Sequence, residues 1–387
     1  VTLIDLSHNV KKRELSLYLS PQRFTKRKVL LQRRIKPHKG GEFSMYDIVA
    51  LGEYLIDFTP LPNYCFQANP GGAPVNLLSM ASRLGNKVGF IGKVGSDYFG
   101  EYLKTNLEHF GIDSCGLVQS CQTPTTLAFV QLNEQGERSF QFYRSPGADT
   151  QLASEELSDF LLSSCRLFHF GSLSLTHAPA KAATEAALIR VKALGIPVSY
   201  DPNYRPLLWQ HLPETEVRQR LLWGATQADI MKLSLEELLW LFPSISPLNA
   251  LLELHRLGPA LVFLTFGSDG SFASTKDLLL YRPTYDTPVL DTTGAGDAFF
   301  GCALNCFLKN EAQWKLLTAE FLIEVLDSAN AAGALCCSRF GAMPAMPNAE
   351  EIQYCKENLP RVHRSTNPLL ETMMDLVSGK VIKNETF

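Results

Sequence analysis

Short apolar runs alternate with longer amphipathic stretches from Tyr46 onward, and that rhythm predicts an α/β domain. Tyr46–Leu51 reads as a first strand and Lys87–Ile91 as a later one. Between them, Pro74–Leu84 places Leu77, Met80, Ala81 and Leu84 at helical spacing, with Pro at its first turn and Gly85 past its end. Phe99–Phe110 before Gly111 and Ala178–Leu194 before Gly195 read as helices in the same way. Leu127–Leu132 and Arg138–Tyr143 alternate on either side of Asn-Glu-Gln-Gly-Glu, which predicts a β-hairpin. Further on, Leu167–Phe170, Val198–Asp201, Ile230–Leu233 and Leu261–Thr265 are short strands separated by helices. This order predicts a mainly parallel central sheet with helices on both faces, its ligands beyond the carboxyl ends of the strands. No internal repeat or low-complexity stretch interrupts it.

Composition narrows the class without choosing a function. The 387 residues are 45% hydrophobic and 19% charged, enough for one large core or two ordinary ones. No apolar run reaches the ~18 residues of a membrane span. The nine cysteines form no Cys-x-x-Cys pair and no zinc spacing. An odd, dispersed set points to reduced thiols and a cytoplasmic setting. Cys302 with Cys306, and Cys336 with Cys337, read as small core residues rather than redox centres.

Charge changes the picture at one end. Residues 1–44 carry eleven Lys/Arg against three Asp/Glu, while the whole chain is −3. A basic arm suits nucleic acid, an acidic surface or a targeting segment. A blander origin competes: Lys39-Gly-Gly-Glu shortly before Met45 is what a purine-rich ribosome-binding sequence encodes, and Val1 is what a GTG start codon gives when read literally. The expectation is a misplaced start, with residues 1–44 disordered or foreign to the domain and no nucleic-acid partner.

The chemistry concentrates in Asp291-Thr-Thr-Gly-Ala-Gly-Asp297-Ala-Phe299, which runs into the apolar stretch to Leu308. Gly294, Ala295 and Gly296 let backbone N–H groups converge at a helix N-terminus, a ready site for an anion. A carboxylate at Asp297 would repel a simple phosphate ligand. It makes sense as a base that takes a hydroxyl proton while the N–H groups hold charge on a phosphoryl group. The competing reading is an Asp N-cap behind a glycine turn. No Gly-x-x-x-x-Gly-Lys-Ser/Thr loop exists elsewhere to hold phosphates, and no Gly-x-Gly-x-x-Gly follows the first strand, which argues against a nicotinamide enzyme.

This motif resembles the C-terminal signature of the ribokinase-like (PfkB) carbohydrate kinases, and Gly71-Gly-Ala-Pro-Val-Asn76 with Gly89-Phe-Ile-Gly-Lys-Val-Gly-Ser-Asp97 resembles the N-terminal one. The wording of Ala50-Leu-Gly-Glu-Tyr-Leu-Ile-Asp57, His169-Phe-Gly-Ser-Leu-Ser174 and Asp201-Pro-Asn-Tyr-Arg205 is most similar to fructokinases. The resemblance implies one ribokinase-like α/β kinase domain over residues 45–347, with a small β lid from about 54–58 and 127–143. Residues 348–387 are left as a C-terminal helix and tail. It also implies an ATP- and Mg²⁺-dependent sugar kinase, with Asp297 as base and the Gly294–Gly296 backbone as anion hole.

By the same resemblance Asp57, Gly71, Gly72, Asn76, Lys93, Arg144 and Arg205 face the sugar. A carboxylate such as Asp57 can hold two hydroxyls at once, which suits a polyol. Lys93 reads equally as a solvated loop lysine, and Arg144 and Arg205 equally as structural ion-pair partners. Asn203, Lys232, Thr265, Gly267, Gly270 and Asn330 fall on the nucleotide side. Glu237 is implied as a Mg²⁺ residue acting through water, although Ser234 stands where many relatives have Asn. Asp291 is implied at a site for a monovalent cation such as K⁺, with Gly341 in the downstream loop. The expected product is fructose 6-phosphate. The rivals are a 2-keto-3-deoxygluconate kinase and, from another class, a catalytically silent sugar-binding regulator. The expected partners are sugar and ATP, with no membrane, and with a homodimer left open.

Overall fold

The computed structural model describes residues 46–63, 65–132, 138–310, 317–362 and 368–377; the basic segment 1–44 and the tip of the 127–143 hairpin lie outside them. The strands are β1 (Tyr46–Leu51), β2 (Leu55–Leu61), β3 (Cys65–Gly71), β4 (Val88–Gly95), β5 (Ile112–Ser120), β6 (Leu127–Leu132) and β7 (Arg138–Tyr143). They continue as β8 (Cys165–Gly171), β9 (Val198–Asp201), β10 (Ile230–Ser234), β11 (Leu261–Thr265), β12 (Ser271–Ser274) and β13 (Leu279–Arg282).

Among the described residues, nine strands form the main sheet in the order β13-β12-β11-β10-β9-β8-β1-β4-β5. Pairing is parallel from β5 across to β11 and antiparallel only at β12 and β13. The alternation of side chains along these strands divides the core between two faces. Val49, Leu51, Phe168, Phe170, Val262 and Leu264 join a cluster on one face. Ile48, Ala50, Leu167, Leu261 and Phe263 join the cluster on the other, with Phe300 and Phe307 of a covering helix. Each fully buried side chain of this size contributes ~1.5–3 kcal/mol of transfer free energy.

The helices follow the amphipathic stretches closely: Ala73–Arg83, Tyr98–His109 and Ala178–Ala193, each followed by a glycine with positive φ at 85, 111 and 195. The hairpin strands β6 and β7 match the sequence pattern end for end. They join β2 and β3 in a second sheet of order β3-β2-β6-β7, which is the lid. The strand expected near 54–58 is longer than the pattern indicated. It pairs antiparallel with β3 along its whole length and parallel with β6. Beyond the expected kinase domain, Ala349–Asn358 and Pro368–Val377 are helices, and Leu370 and Met373 of the latter are buried in the first core cluster.

Candidate active site

β1 lies between β4 and β8, so the chain leaves it toward opposite sides of the sheet and opens a crevice beyond the strand ends. Strands β8, β9, β10 and β11 bring Gly171, Asp201, Ser234 and Thr265 to that same edge. Across it, the helix Ala295–Lys309 presents its N-terminus.

Asp297 stands in the first turn of this helix. Its N-cap Gly294 has φ 80°, and a Cβ there would come within 2.7 Å of the Ala342 side chain, so conformation and space both require glycine. The Ala295 N–H reaches the Thr292 carbonyl at 3.3 Å, which leaves Gly296 the more open donor of the expected cradle. Close packing sets the neighbour: a Cβ on Gly301, one turn further along, would lie 2.7 Å from the Leu77 carbonyl. That approach brings helix Ala73–Arg83 alongside, and Asn76 Nδ2 donates to Asp297 Oδ2 at 2.8 Å. The other amide atom, Asn76 Oδ1, is buried without a hydrogen-bond partner, an acceptor open to a hydroxyl donor. Burial raises the Asp297 carboxyl to about 6, with Lys232 pulling it down, Asp201 pushing it up, and Asn76 and Arg205 pulling it down less.

On the lid side, Asp57 of β2 is likewise raised to about 6 by burial, opposed by the charge of Arg205. Gly71 backs directly onto it: an added Cβ would lie 2.1 Å from Asp57 Oδ2. Gly72, at φ 136°, folds against the Glu53 carbonyl and starts the helix that carries Asn76. Arg205 is exposed, and its charge lowers the carboxyls of both Asp57 and Asp297.

Two of the residues expected at the sugar are committed elsewhere. Lys93 Nζ bonds Glu156 at 2.6 Å and the Gln151 carbonyl at 3.1 Å. Arg144 is buried, pairs with Asp149 at 2.6 Å, and donates to Thr176 Oγ1 and the Leu173 carbonyl. Thr126 Oγ1 also bonds Asp149, at 2.5 Å. Asp149 therefore fastens both roots of the β6–β7 hairpin, and Arg144 takes the structural role that its sequence left open.

The residues expected on the nucleotide side fall at or near the neighbouring strand ends, with Asn330 in helix Ala319–Cys337. Asn203 sits at φ 39° with its N–H bonded to Asp201 Oδ1 at 3.1 Å. Lys232 pairs with Asp201 Oδ2 at 2.6 Å, both buried. Thr265 ends β11, and Gly267 and Gly270 bound the turn that follows. Asn330 is buried and internally satisfied, accepting from Ser271 Oγ at 2.9 Å and donating to the Arg282 carbonyl at 3.1 Å. Its amide therefore braces helix Ala319–Cys337 against β12 and β13.

The departure at Ser234 has a local explanation. Ser234 caps helix Leu235–Leu241: its hydroxyl accepts from Glu237 N, and Glu237 Oε2 accepts from Ser234 N at 2.8 Å. Serine fills an N-cap as well as asparagine does, so the exchange keeps the turn intact. Glu237 Oε1 accepts from Tyr204 N at 2.7 Å, and burial followed by Asp201 raises its carboxyl above the usual range. Asp291 joins two loops, accepting from Thr293 N and Oγ1 and from Gly341 N at 3.0 Å. Among the described residues no cluster of three or more His, Cys, Asp or Glu forms a metal cage. Carboxylates that keep a free lone pair suit a hydrated Mg²⁺ carried on phosphates, which needs only one or two protein ligands.

Sequence reasoning passed over Glu53. Its Oε1 accepts from Ala73 N at 3.1 Å, its Oε2 is buried without a partner, and burial raises the carboxyl to about 7. The only signal was an acidic residue inside the otherwise apolar run to Asp57.

A buried carboxylate at a glycine-bent helix N-terminus, beside a mainly parallel sheet flanked by a small second sheet that carries Asp57, is the arrangement expected of a phosphotransferase of small alcohols. The chain belongs to the pfkB family of carbohydrate kinases, whose model matches residues 45–349. Fructokinase-1 of Zea mays is 37% identical over 314 residues, covering 79% of this chain and 96% of that protein. Probable fructokinase-5 of Arabidopsis thaliana is 38% identical over 318 residues, with the same coverage. The structure of fructokinase with bound ATP from Xylella fastidiosa superposes with TM-score 0.76 at 34% identity, covering 80% of this chain and 98% of that one. Fructokinase from Vibrio cholerae O395, with fructose, ADP and calcium bound, gives TM-score 0.73 at 30% identity, covering 80% and 99%.

Proposed function

We propose that this kinase transfers the γ-phosphoryl group of ATP to D-fructose, giving fructose 6-phosphate. The Asn76–Asp297 hydrogen bond carries the reading, because it joins the residue expected at the sugar to the residue expected to take its proton. In the step itself the acceptor oxygen bonds to the γ-phosphorus as the bond to the bridging oxygen of ADP breaks. The hydroxyl proton passes to Asp297, whose second oxygen is held in place by Asn76. The Gly294–Gly296 turn holds the charge on the transferring group with backbone dipoles. Asp57, with Gly71 and Gly72 behind it, fixes the sugar hydroxyls. Glu237 and Asp297 are the residues that would face a hydrated Mg²⁺, and the ion supplies charge neutralisation to the phosphates.

The commitment of Arg144 to Asp149 favours a neutral sugar over 2-keto-3-deoxygluconate, since it removes one of two cations that a substrate carboxylate would want. An intact base and cradle favour an enzyme over a silent regulator. Nine free cysteines support a reducing, cytosolic setting, and no helix among the described residues is long and apolar enough to cross a membrane. K⁺ activation through Asp291 and a homodimer complete the proposal, tested by exchanging K⁺ for tetramethylammonium and by light scattering.

Steady-state rates with fructose, 2-keto-3-deoxygluconate, ribose and adenosine as acceptors test the substrate. Fructose should give the highest kcat/KM. A higher value for the keto acid would make that rival correct, and no turnover of any acceptor would favour the regulator.

A further inference from the structure

Asp57 stands on the lid sheet and Asp297 on a helix of the body, so the sugar site needs one sheet fixed against the other. β2 meets β6 at the root of the hairpin. There the Ile56 N–H donates to the Thr126 carbonyl at 3.1 Å, and Ile56 pairs with Leu127. Asp57 is the next residue along the strand. Where Thr126 stands therefore decides where Asp57 stands.

Thr126 is held from several sides. Its hydroxyl donates to Asp149 Oδ1 at 2.5 Å. The other oxygen of Asp149 accepts from Arg144 Nε at 2.8 Å. The rest of that guanidinium donates to Thr176 Oγ1 and the Leu173 carbonyl, both just beyond β8 of the main sheet. Gly147 leaves room for the hydroxyl: a Cβ there would lie 1.8 Å from Thr126 Oγ1. One residue earlier, Thr125 N and Oγ1 both donate to Asp97, the N-cap of helix Tyr98–His109. Lys93 Nζ fastens the turn that carries Asp149 by donating to the Gln151 carbonyl. A buried carboxylate that accepts from a hydroxyl and a guanidinium is a directional anchor, because leaving any of these groups unpaired costs more than one bond gains. Thr126 is 1% exposed, so its hydroxyl does not reach a ligand in the crevice.

We propose that Thr126 is a positioning residue for the acceptor: gripped by the Asp149–Arg144 pair, it holds β2 where the Asp57 carboxylate meets the sugar hydroxyls. Sugar affinity then depends on a side chain that never touches the sugar. A carboxylate shifted by a fraction of an ångström loses the geometry of its hydrogen bonds. The proposal rests on the reading of Asp57 as the carboxylate that binds the acceptor.

The test compares Thr126→Val, which keeps the shape and removes the hydroxyl, with Thr126→Ser, which keeps the hydroxyl. Hydrogen exchange at the Ile56 amide, read by NMR in substrate-free protein, reports the anchor without any ligand. It should speed up by about tenfold in Thr126→Val and stay near wild type in Thr126→Ser. Steady-state rates use whichever of fructose, 2-keto-3-deoxygluconate, ribose and adenosine gives the highest kcat/KM. Thr126→Val should raise KM for that acceptor by ~10-fold and leave KM for ATP within about twofold. Thr126→Ser should restore the wild-type value. In an Asp57→Ala background the same valine should change kcat/KM by less than about twofold, because the group it positions is gone. An equal loss in both backgrounds, or equal rises in KM for ATP and acceptor, would make Thr126 a packing residue and overturn the proposal. Unchanged Ile56 exchange would overturn it too. If Thr126→Val fails to fold, Thr126→Ala is read in the same way. Failure of the underlying reading has its own signature: Asp57→Ala would leave KM for the acceptor unchanged while the Ile56 amide still responded to Thr126→Val. That result would take Asp57 away from the sugar, and the role of Thr126 with it.

Discussion

The Asn76 amide donates to the Asp297 carboxylate at 2.8 Å, joining two residues 221 positions apart in the chain. The bond orients one carboxylate oxygen, and the proposed reaction uses the other for the acceptor hydroxyl. It also favours the charged form of the base. Asn76→Leu should therefore lower kcat/KM for the sugar by ~10-fold or more, the scale of one hydrogen bond to a charged group. The acid limb of the rate profile should move to higher pH in the same variant. A pH–rate profile identical to wild type would remove this function from Asn76.

Asp297→Asn keeps the shape of the base and removes its ability to accept a proton. Binding of nucleotide and sugar, measured by calorimetry, should persist while kcat falls by at least ~10²-fold. A kcat close to wild type would sink the assignment.

With its carboxyl raised to about 6, Asp297 is ionised at neutral pH and protonated below that point. The wild-type kcat should be level near pH 7 to 8 and fall about tenfold per pH unit well below pH 6. A flat profile down to pH 5 would show that no such group limits the reaction.

Glu53 gives a stability prediction of defined sign. Its folded value of about 7 lies above the ordinary 4.5, so the folded state holds the proton more tightly than the unfolded chain. The stability this supplies is complete below about pH 4.5 and is lost as pH rises through about 7, a span worth roughly 3 kcal/mol at most. Glu53→Gln should flatten the decline in melting temperature of the substrate-free protein between pH 5 and 7. An unchanged slope in that variant would contradict the raised value.

Asp57 and Gly71 should report on the acceptor alone. Asp57→Ala removes hydrogen bonds worth ~1.5–3 kcal/mol each and should raise KM for the sugar by ~10²–10⁴-fold. Gly71→Ala forces a methyl group into the Asp57 carboxylate, 2.1 Å away, and should raise the same constant by displacing it. KM for ATP should barely move in either variant; a comparable rise there would place Asp57 on the nucleotide side instead.

Local periodicity made part of this fold readable from the residues alone. Helices with one apolar face and a glycine stop, and strands such as β6, β7, β9 and β11, were legible because their signal lies within a few neighbouring residues. The strands it did not mark were β3, β5, β12 and β13. Three of these are sheet edges, and β3 carries Pro70, so half-exposed positions dilute the alternation. β12 has only four residues, too few for a period to declare itself.

The glycine-bent turn around Asp297 was also legible, because the residue types needed for an anion cradle are consecutive. The partners of each charged group became visible only once the chain was folded. Arg144 became a lid anchor because Asp149 waits at the hairpin root, Glu53 became a buried acid, and Lys232 was set under Gly296 by the pairing of β9 with β10. A charge takes its role from the dielectric around it and from partners brought close by folding. Residues far apart in the chain supply both, so no local pattern records them.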